Sequence, residues 1–352
     1  MAELTEYLNR AVGDRASDLF IVAGGPVCAK QEKRMVPISE DRVFPRDTEE
    51  LIREIYTLAN RPIDRFIKQG DDDFSFSVAG LARFRVNVYR QRGSMAAVIR
   101  VVSFDIPNWN DLSIPEQVMD LAKVQHGMVL VTGTAGSGKS TTQACLIDRI
   151  NRTRECHIIT LEDPIEYLHR DRRSIVSQRE IAIDTQDYPS ALRACLRQAP
   201  DVILLGEMRD QETIHTAMTA AETGHLLIAT LHTKGAVNTI DRIVDTFPSG
   251  QQDQVRVQLS MVLHTVVSQQ LVPDVNGGLT PAFEIMHVNN AIRSLIRDSK
   301  THQIDNAIAA GGAEGMVTMD QSLLTLYKSR EITAETALSF SDNPEQLRRR
   351  MG

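Results

Sequence analysis

The pattern of apolar and polar positions divides the chain near residue 100. Before that point the periods are mixed. Leu4, Leu8 and Val12 fall on one face of an opening helix, and Thr48 to Leu58 reads as a second helix. Asp18 to Ala23 reads as a strand ended by Gly24-Gly25-Pro26. Phe74 to Ala79 and Ala82 to Val88 read as strands joined at Gly80-Leu81, with Ala96 to Val102 as another. Residues 1–100 are therefore expected to form a small α+β domain. Pro107, Asn108, Asn110 and Pro115 mark residues 101–115 as a linker.

Beyond the linker, apolar runs alternate with helical patterns. The runs are Met128–Thr132, His157–Leu161, Val202–Leu205 and Leu226–Leu231. Residues 116–352 are read as an α/β domain with a mainly parallel sheet, the last ~80 residues being mostly helical. In such a sheet, ligands gather at the carboxyl ends of the strands. Near the C-terminus a helix is expected from Ala291 to Arg297, capped by Asn290, with Ile292, Leu295 and Ile296 as its apolar stripe. Arg293 opposes the dipole of that helix and shares a face with Arg297, which suggests a partner there.

Composition narrows the class. The 352 residues suit about two domains, with 42% hydrophobic residues to build cores and 24% charged residues to keep the surface wet. A net charge of -7 and only 5% aromatic residues disfavour a general nucleic-acid binder. Cys28, Cys145, Cys156 and Cys195 are isolated, so neither zinc spacing nor a disulfide framework is visible and reduced thiols are expected. Met1 to Arg10 carries Glu3 and Glu6 and has no apolar targeting core. No apolar run approaches the ~18 residues that a bilayer span needs. A cytoplasmic location is expected, with membrane association only through a partner.

The chemistry begins at Gly133-Thr134-Ala135-Gly136-Ser137-Gly138-Lys139-Ser140, a complete G-x-x-x-x-G-K-[ST] phosphate loop. An apolar strand leads in, and a helix leads out from Thr141. That context argues against a chance Gly/Ser turn. The loop's N–H groups and the helix N-terminus suit phosphate, Lys139 suits the β- and γ-phosphates of ATP, and Ser140 suits Mg²⁺.

Three further groups follow strand ends. Glu162, Asp163 and Glu166 form either an acidic turn or a cluster facing Mg²⁺ or an activated water. Val202–Leu205 leads through Gly206 to Glu207, an apolar strand ending in a carboxylate. The Asp usual before such a Glu is replaced by Gly206, while Glu207 suits the base that polarises water. His225 and His232 bracket the run Leu226–Leu231, among Thr223, Thr230 and Thr233. No metal spacing completes them, and a phosphate-sensing role competes with a structural one. Arg83 with Arg85, and Arg90 with Arg92, each share a face at period two and are either solvated edge arginines or phosphate contacts. Arg209 and Arg242 are further interface or phosphate candidates.

Taken in order, these motifs resemble the secretion-ATPase superfamily, and within it the retraction branch. The residues that carry the resemblance are the phosphate loop, Leu161 to Glu166, Gly206 to Asp210, Thr223 to Thr233, Ala291 to Asp298 and Gly315 to Asp320. The resemblance implies a PAS-like N-terminal domain, a RecA-like P-loop NTPase domain and a ring-shaped homohexamer. It implies ATP and Mg²⁺, hydrolysis coupled to type IV pilus retraction and twitching motility, and work against an inner-membrane pilus platform protein. Arg83 and Arg85 are then the leading fingers toward a neighbouring subunit's γ-phosphate. Glu162 and Glu207 are expected to reach the metal through water, and His225 and His232 to relay phosphate occupancy. The chain departs from the family's pattern at Phe20, after Ser17-Asp18-Leu19, and in the loop from Cys28 to Arg34. Alternatives are an accessory retraction or extension motor, a RecA-like nucleic-acid translocase and a nucleotide-gated adaptor.

Overall fold

The computed structural model describes residues 4–31, 34–102 and 106–352. The chain forms two compact units, Met1–Asp105 with Ile165–Leu168, and Ile106–Pro164 with His169–Gly352.

The first unit contains helices α1 (Leu4–Gly13), α2 (Pro45–Leu58) and α3 (Asp64–Gln69). Its strands are β1 (Asp18–Ile21), β2 (Cys28–Gln31), β3 (Arg34–Pro37), β4 (Asp71–Val78), β5 (Ala82–Gln91) and β6 (Ser94–Val102). They form one antiparallel sheet in the order β3-β2-β1-β6-β5-β4. Cys28 to Arg34, expected as a loop, is mostly strand, with Cys28 paired to Pro37. Along β5 the period is two: Ala82, Phe84, Val86 and Val88 are buried, and Arg83 and Arg85 lie on the other face. β5 is flanked by β4 and β6, so these arginines do not blunt a sheet edge. Leu4, Leu8, Ile52, Ile55, Phe84 and Ile99 belong to the core between sheet and helices. Asp72 is buried there as a charge, which is tolerable because Arg61 grips it with two N–H bonds and the Tyr56 hydroxyl donates a third.

In the second unit the residues read as linker between 106 and 115 pack against a core, and Ile114 is buried in it. The chain continues through α4 (Glu116–Met119), β7 (Gly127–Thr132), α5 (Lys139–Thr153), β8 (His157–Glu162), β9 (Ile175–Glu180) and α6 (Tyr188–Cys195). It then runs through β10 (Val202–Leu205), α7 (Gln211–Glu222), β11 (Leu226–Leu231), α8 (Ala236–Asp245) and α9 (Ser249–Val262). A long hairpin, β12 (Leu263–Pro273) and β13 (Leu279–His287), precedes α10 (Asn290–Arg297). The chain closes with α11 (Ile304–Ala310), α12 (Met319–Lys328), α13 (Ala334–Phe340) and α14 (Pro344–Met351).

The seven strands are ordered β13-β12-β7-β11-β10-β8-β9, and all but β13 run parallel. Both faces are covered, so the central strands are apolar throughout. Met128 and Leu130 of β7 pack toward α6 to α10, while Val129 packs toward α4 and α5. The helices α12 to α14 rest on Val272 and Ala282 of the hairpin.

Near the C-terminus one expectation changes. The cap of α10 is Asn289, not Asn290, and its side chain accepts from the Ile292 N–H. Arg293 donates to the Ser260 carbonyl near the end of α9, where a cation meets that helix's negative pole. Arg297 pairs with Asp298 and donates to Ser294. The two arginines thus have partners within the chain, which removes the reason for expecting an outside one.

Candidate nucleotide site

The phosphate loop joins β7 to α5, the 15-residue helix that opens with Lys139. Gly133, with φ of 144°, has no alternative: a Cβ there would lie 2.3 Å from the Gln269 carbonyl oxygen and 2.6 Å from Ser137 Oγ. Gly138 caps α5 in the left-handed region, at φ 88°. Lys139 is buried, and its Nζ donates to the carbonyls of Gly133 and Thr134 at 2.9 Å each. Its charge therefore stands at the centre of the loop. Ser137 Oγ and Thr132 Oγ1 are buried without a hydrogen-bond partner among the described residues. Such orphaned groups, one at the end of β7 and one within the loop, suit phosphate oxygens.

The strand register brings the second part of the site to the same level. Leu231 of β11 pairs with Thr132 of β7, and Leu205 of β10 pairs with Ala229 of β11 and Leu161 of β8. The residues just past these strands therefore converge. Glu207 is buried at 8% exposure, and Arg209 Nε meets its Oε2 at 2.6 Å. His232 stands between the two charged centres. Its Nε2 is 3.4 Å from Glu207 Oε2, and its Nδ1 is 3.4 Å from Lys139 Nζ.

The absent aspartate before Glu207 has a steric reason. A Cβ at Gly206 would lie 2.7 Å from the Tyr188 hydroxyl and 3.2 Å from the Leu161 carbonyl oxygen. The Gly206 N–H donates to that same carbonyl, and the Thr230 hydroxyl donates to the Gly206 carbonyl. Burial pushes the Tyr188 hydroxyl pKa up, and the charges of Glu207, Asp163 and Glu162 push it further. Tyr188 thus sits among the site's carboxylates as a neutral phenol.

The other expected residues divide. Glu162 ends β8 and accepts from Thr160 Oγ1 at 2.6 Å and from Gln178 Nε2 at 3.2 Å. Asp163 is exposed beside it. Glu166 is exposed and falls in the segment that groups with the first unit, as do Arg83 and Arg85. His225 is not brought to the site. It precedes β11, so seven residues of extended chain, about 23 Å, separate it from His232. There it meets the Ala220 carbonyl and the Thr223 hydroxyl at the end of α7. Arg242 is exposed on α8.

Sequence reasoning missed the contribution of the hairpin. Gln269 of β12 accepts from Thr142 Oγ1 at 2.8 Å, bracing the first turns of α5. A cavity of about 460 Å³ opens beside Gly138, Thr141 and Thr142, with Gln269, Leu271 and Asp274 on its wall. That volume lies in the range that holds small-molecule ligands, ~300–1,000 Å³. Polar residues inside β12 hid this strand from a search for apolar runs.

Among the described residues, no group of three or more His, Cys, Asp or Glu is arranged to hold a metal ion. Mg²⁺ that arrives with a nucleotide is held mainly by phosphates and water and needs only one or two protein ligands. Ser140, in the first turn of α5, fits that demand. Among the described residues, no helix is long and apolar enough to cross a membrane.

Strand, phosphate loop and helix, with a buried glutamate two strands away, define a P-loop nucleotide-binding protein. Residues 2–346 match the family described as Type II/IV secretion system protein, and the chain belongs to that family. It is 42% identical over 346 residues to the type IV pilus retraction ATPase PilT of Pseudomonas aeruginosa, covering 98% of this chain and 100% of that one. It is 38% identical to the type IV pilus ATPase PilU of the same organism, over 98% of this chain and 90% of that one. A crystal structure of the pilus retraction motor PilT with bound ADP superimposes with a TM-score of 0.89 at 44% identity, covering 99% of this chain and 100% of that one.

Proposed function

We propose that this chain is an ATPase motor that couples ATP hydrolysis to type IV pilus retraction and so to twitching motility. The observation that carries the reading is its end-to-end likeness to a pilus retraction ATPase. The meeting of Lys139, His232 and Glu207 at the strand ends supplies the chemistry.

In this reading the second unit is a RecA-like ATPase domain and the first a PAS-like domain. ATP lies with its phosphates in the loop from Gly133 to Thr141 and its base in the cavity beside Thr142. Ser140 would hold the Mg²⁺ that accompanies the nucleotide, which would supply positive charge to the phosphates. Glu207 orients the attacking water and takes its proton, and catalysis is otherwise positioning and charge stabilisation. Arg209 exchanges Glu207 for the γ-phosphate as its anion. Glu162 and Asp163 order the water network, with Glu166 an outlying member. His232 spans Lys139 and Glu207 and so senses phosphate occupancy. His225 lies a strand's length away and takes no part.

The working form is a homohexamer at the cytoplasmic face of the inner membrane, engaged with the pilus platform protein. Arg83 and Arg85 complete a neighbour's site, and motion of one domain against the other delivers the stroke. Likeness to PilU over the same length supports a second role, an accessory motor. Expression in a strain lacking its own retraction ATPase separates the two: a main motor restores retraction alone, whereas an accessory motor does not. Steady-state turnover with and without DNA tests the class. ATPase activity indifferent to DNA is expected; DNA-stimulated turnover would favour a translocase, and binding without turnover an adaptor.

A further inference from the structure

Helix α8 begins four residues after His232, and its N-cap is a glycine. Gly235 has φ of 79° and ψ of 154° and no side chain with which to cap the helix. The first N–H groups of a helix need partners from elsewhere. Here they come from a cross-strand pair on the β12–β13 hairpin. Ser268 and Glu284 stand opposite each other in that ladder and so share a face. Ser268 Oγ accepts from the Gly235 N–H at 2.9 Å, and Glu284 Oε1 accepts from the Ala236 N–H at 2.7 Å. The backbone N–H of Met319, the first residue of α12, also faces Glu284 and favours its charged form. One carboxylate, 4% exposed, therefore caps α8 at Ala236 and faces the first residue of α12 at Met319.

A buried carboxylate is costly unless well satisfied, and a hydroxyl such as that of Ser268 already serves as a cap. Charge adds something a hydroxyl lacks: it favours two helix N-termini at once. We infer that Glu284, with Ser268, is a positioning residue for the loop that carries His232. The inference rests on the reading of His232 as part of the ATP site.

The surroundings make this contact responsive to pH. Burial raises the Glu284 pKa to about 7, and the charges of Asp342 and Asp305 add to the rise. Asp305 comes from α11, and Asp342 from the turn between α13 and α14, where Lys234 and Asp320 face it. Ionised, Glu284 accepts from the Ala236 N–H through Oε1. Protonated, the carboxyl group no longer opposes the helix end with a full negative charge, and the grip on the loop loosens.

The test compares Glu284→Gln, Ser268→Ala, His232→Gln and the Glu284→Gln/His232→Gln double variant, as purified full-length ATPase. Turnover is followed from pH 6 to 8.5 (about two units around the Glu284 titration), with ATP affinity measured separately. Displacing a site group by about 1 Å can cost on the order of 100-fold. We expect Glu284→Gln to lower kcat about tenfold with KM within about twofold, and to abolish the rise in kcat through about pH 7. Ser268→Ala should show a smaller loss of the same kind. The double variant should be no slower than His232→Gln, because both changes act through one group. A wild-type kcat and pH profile in Glu284→Gln and Ser268→Ala, alongside a slow His232→Gln, would overturn this inference alone. Independent, multiplying losses in the double variant would also overturn it. A His232→Gln enzyme with wild-type kcat would instead overturn the reading of His232, and with it the inference. Should Glu284→Gln fold poorly, Ser268→Ala decides.

Discussion

Glu207 and His232 face each other across the carboxyl ends of neighbouring parallel strands, with 3.4 Å between carboxylate and imidazole. The contact depends on register. β10 and β11 pair from Val202 with Leu226 onward, so the first residues beyond each strand emerge at nearly the same height. Lys139 reaches the far nitrogen of the same ring. A single histidine thus links the Lys139 ammonium to the Glu207 carboxylate, the groups proposed to bind phosphate and to activate water, and a change at either end reaches the other within two contacts.

Gly206 sets the path of the chain into Glu207. Adding a methyl group there meets the Tyr188 hydroxyl and the Leu161 carbonyl. Gly206→Ala is expected to lower stability by about 1–3 kcal/mol, the usual cost of overpacking, and to slow turnover by displacing Glu207. Tyr188→Phe in the same chain removes one of the two clashing atoms and should recover part of both losses. Chemical denaturation and steady-state ATPase measurements check this; a Gly206→Ala protein with wild-type values would show that the backbone yields without consequence.

How far the sequence disclosed this site follows from where the residues lie. The phosphate loop is contiguous, and its strand and helix flank it directly, so Gly133 to Thr141 could be read from the chain. Glu207 was legible because Val202–Leu205 is an unbroken apolar run. The β12–β13 hairpin was not, because Ser268, Gln269 and Gln270 interrupt its apolar pattern while being buried. Inside, Ser268 holds the start of α8, Gln269 the first turns of α5 and Gln270 the end of α13, contacts visible only once the strands are assembled. β9 was missed for a related reason: it is an edge strand, Ile175–Glu180, largely polar and only partly covered. His225 and His232 look equivalent in sequence, and only the direction of β11 separates them.

The proposed sharing of sites between subunits leads to a mixing experiment. An Arg83→Ala/Arg85→Ala variant and a Glu207→Gln variant should each be nearly inactive, since an arginine finger is worth ~10³–10⁵ in rate. Mixed rings should regain activity, because some interfaces pair an intact finger with an intact base. No recovery, with subunit exchange verified by a labelled chain, would count against action in trans.

Acid sensitivity of the fold is expected to pass through His169. Burial lowers its pKa from 6.5 to about 4. The unfolded chain therefore takes up this proton first, and stability is lost as pH falls from about 6.5 toward 4. His264 and His287 are lowered by burial as well and act in the same direction. His169→Gln, which cannot titrate, should show a shallower fall in unfolding midpoint over that window, with part of the slope kept by the other two. An unchanged slope would mean that His169 gains water before the fold opens.

The most direct measurement is turnover and ATP binding in purified Glu207→Gln. The substitution keeps size and hydrogen bonding and removes the base. Hydrolysis should slow by ~10²–10⁴ while ATP affinity, measured by calorimetry, stays within about threefold of wild type. Wild-type turnover, or loss of binding in parallel with loss of turnover, would contradict the account, the first by removing Glu207 from the chemistry and the second by making it part of the nucleotide's binding frame.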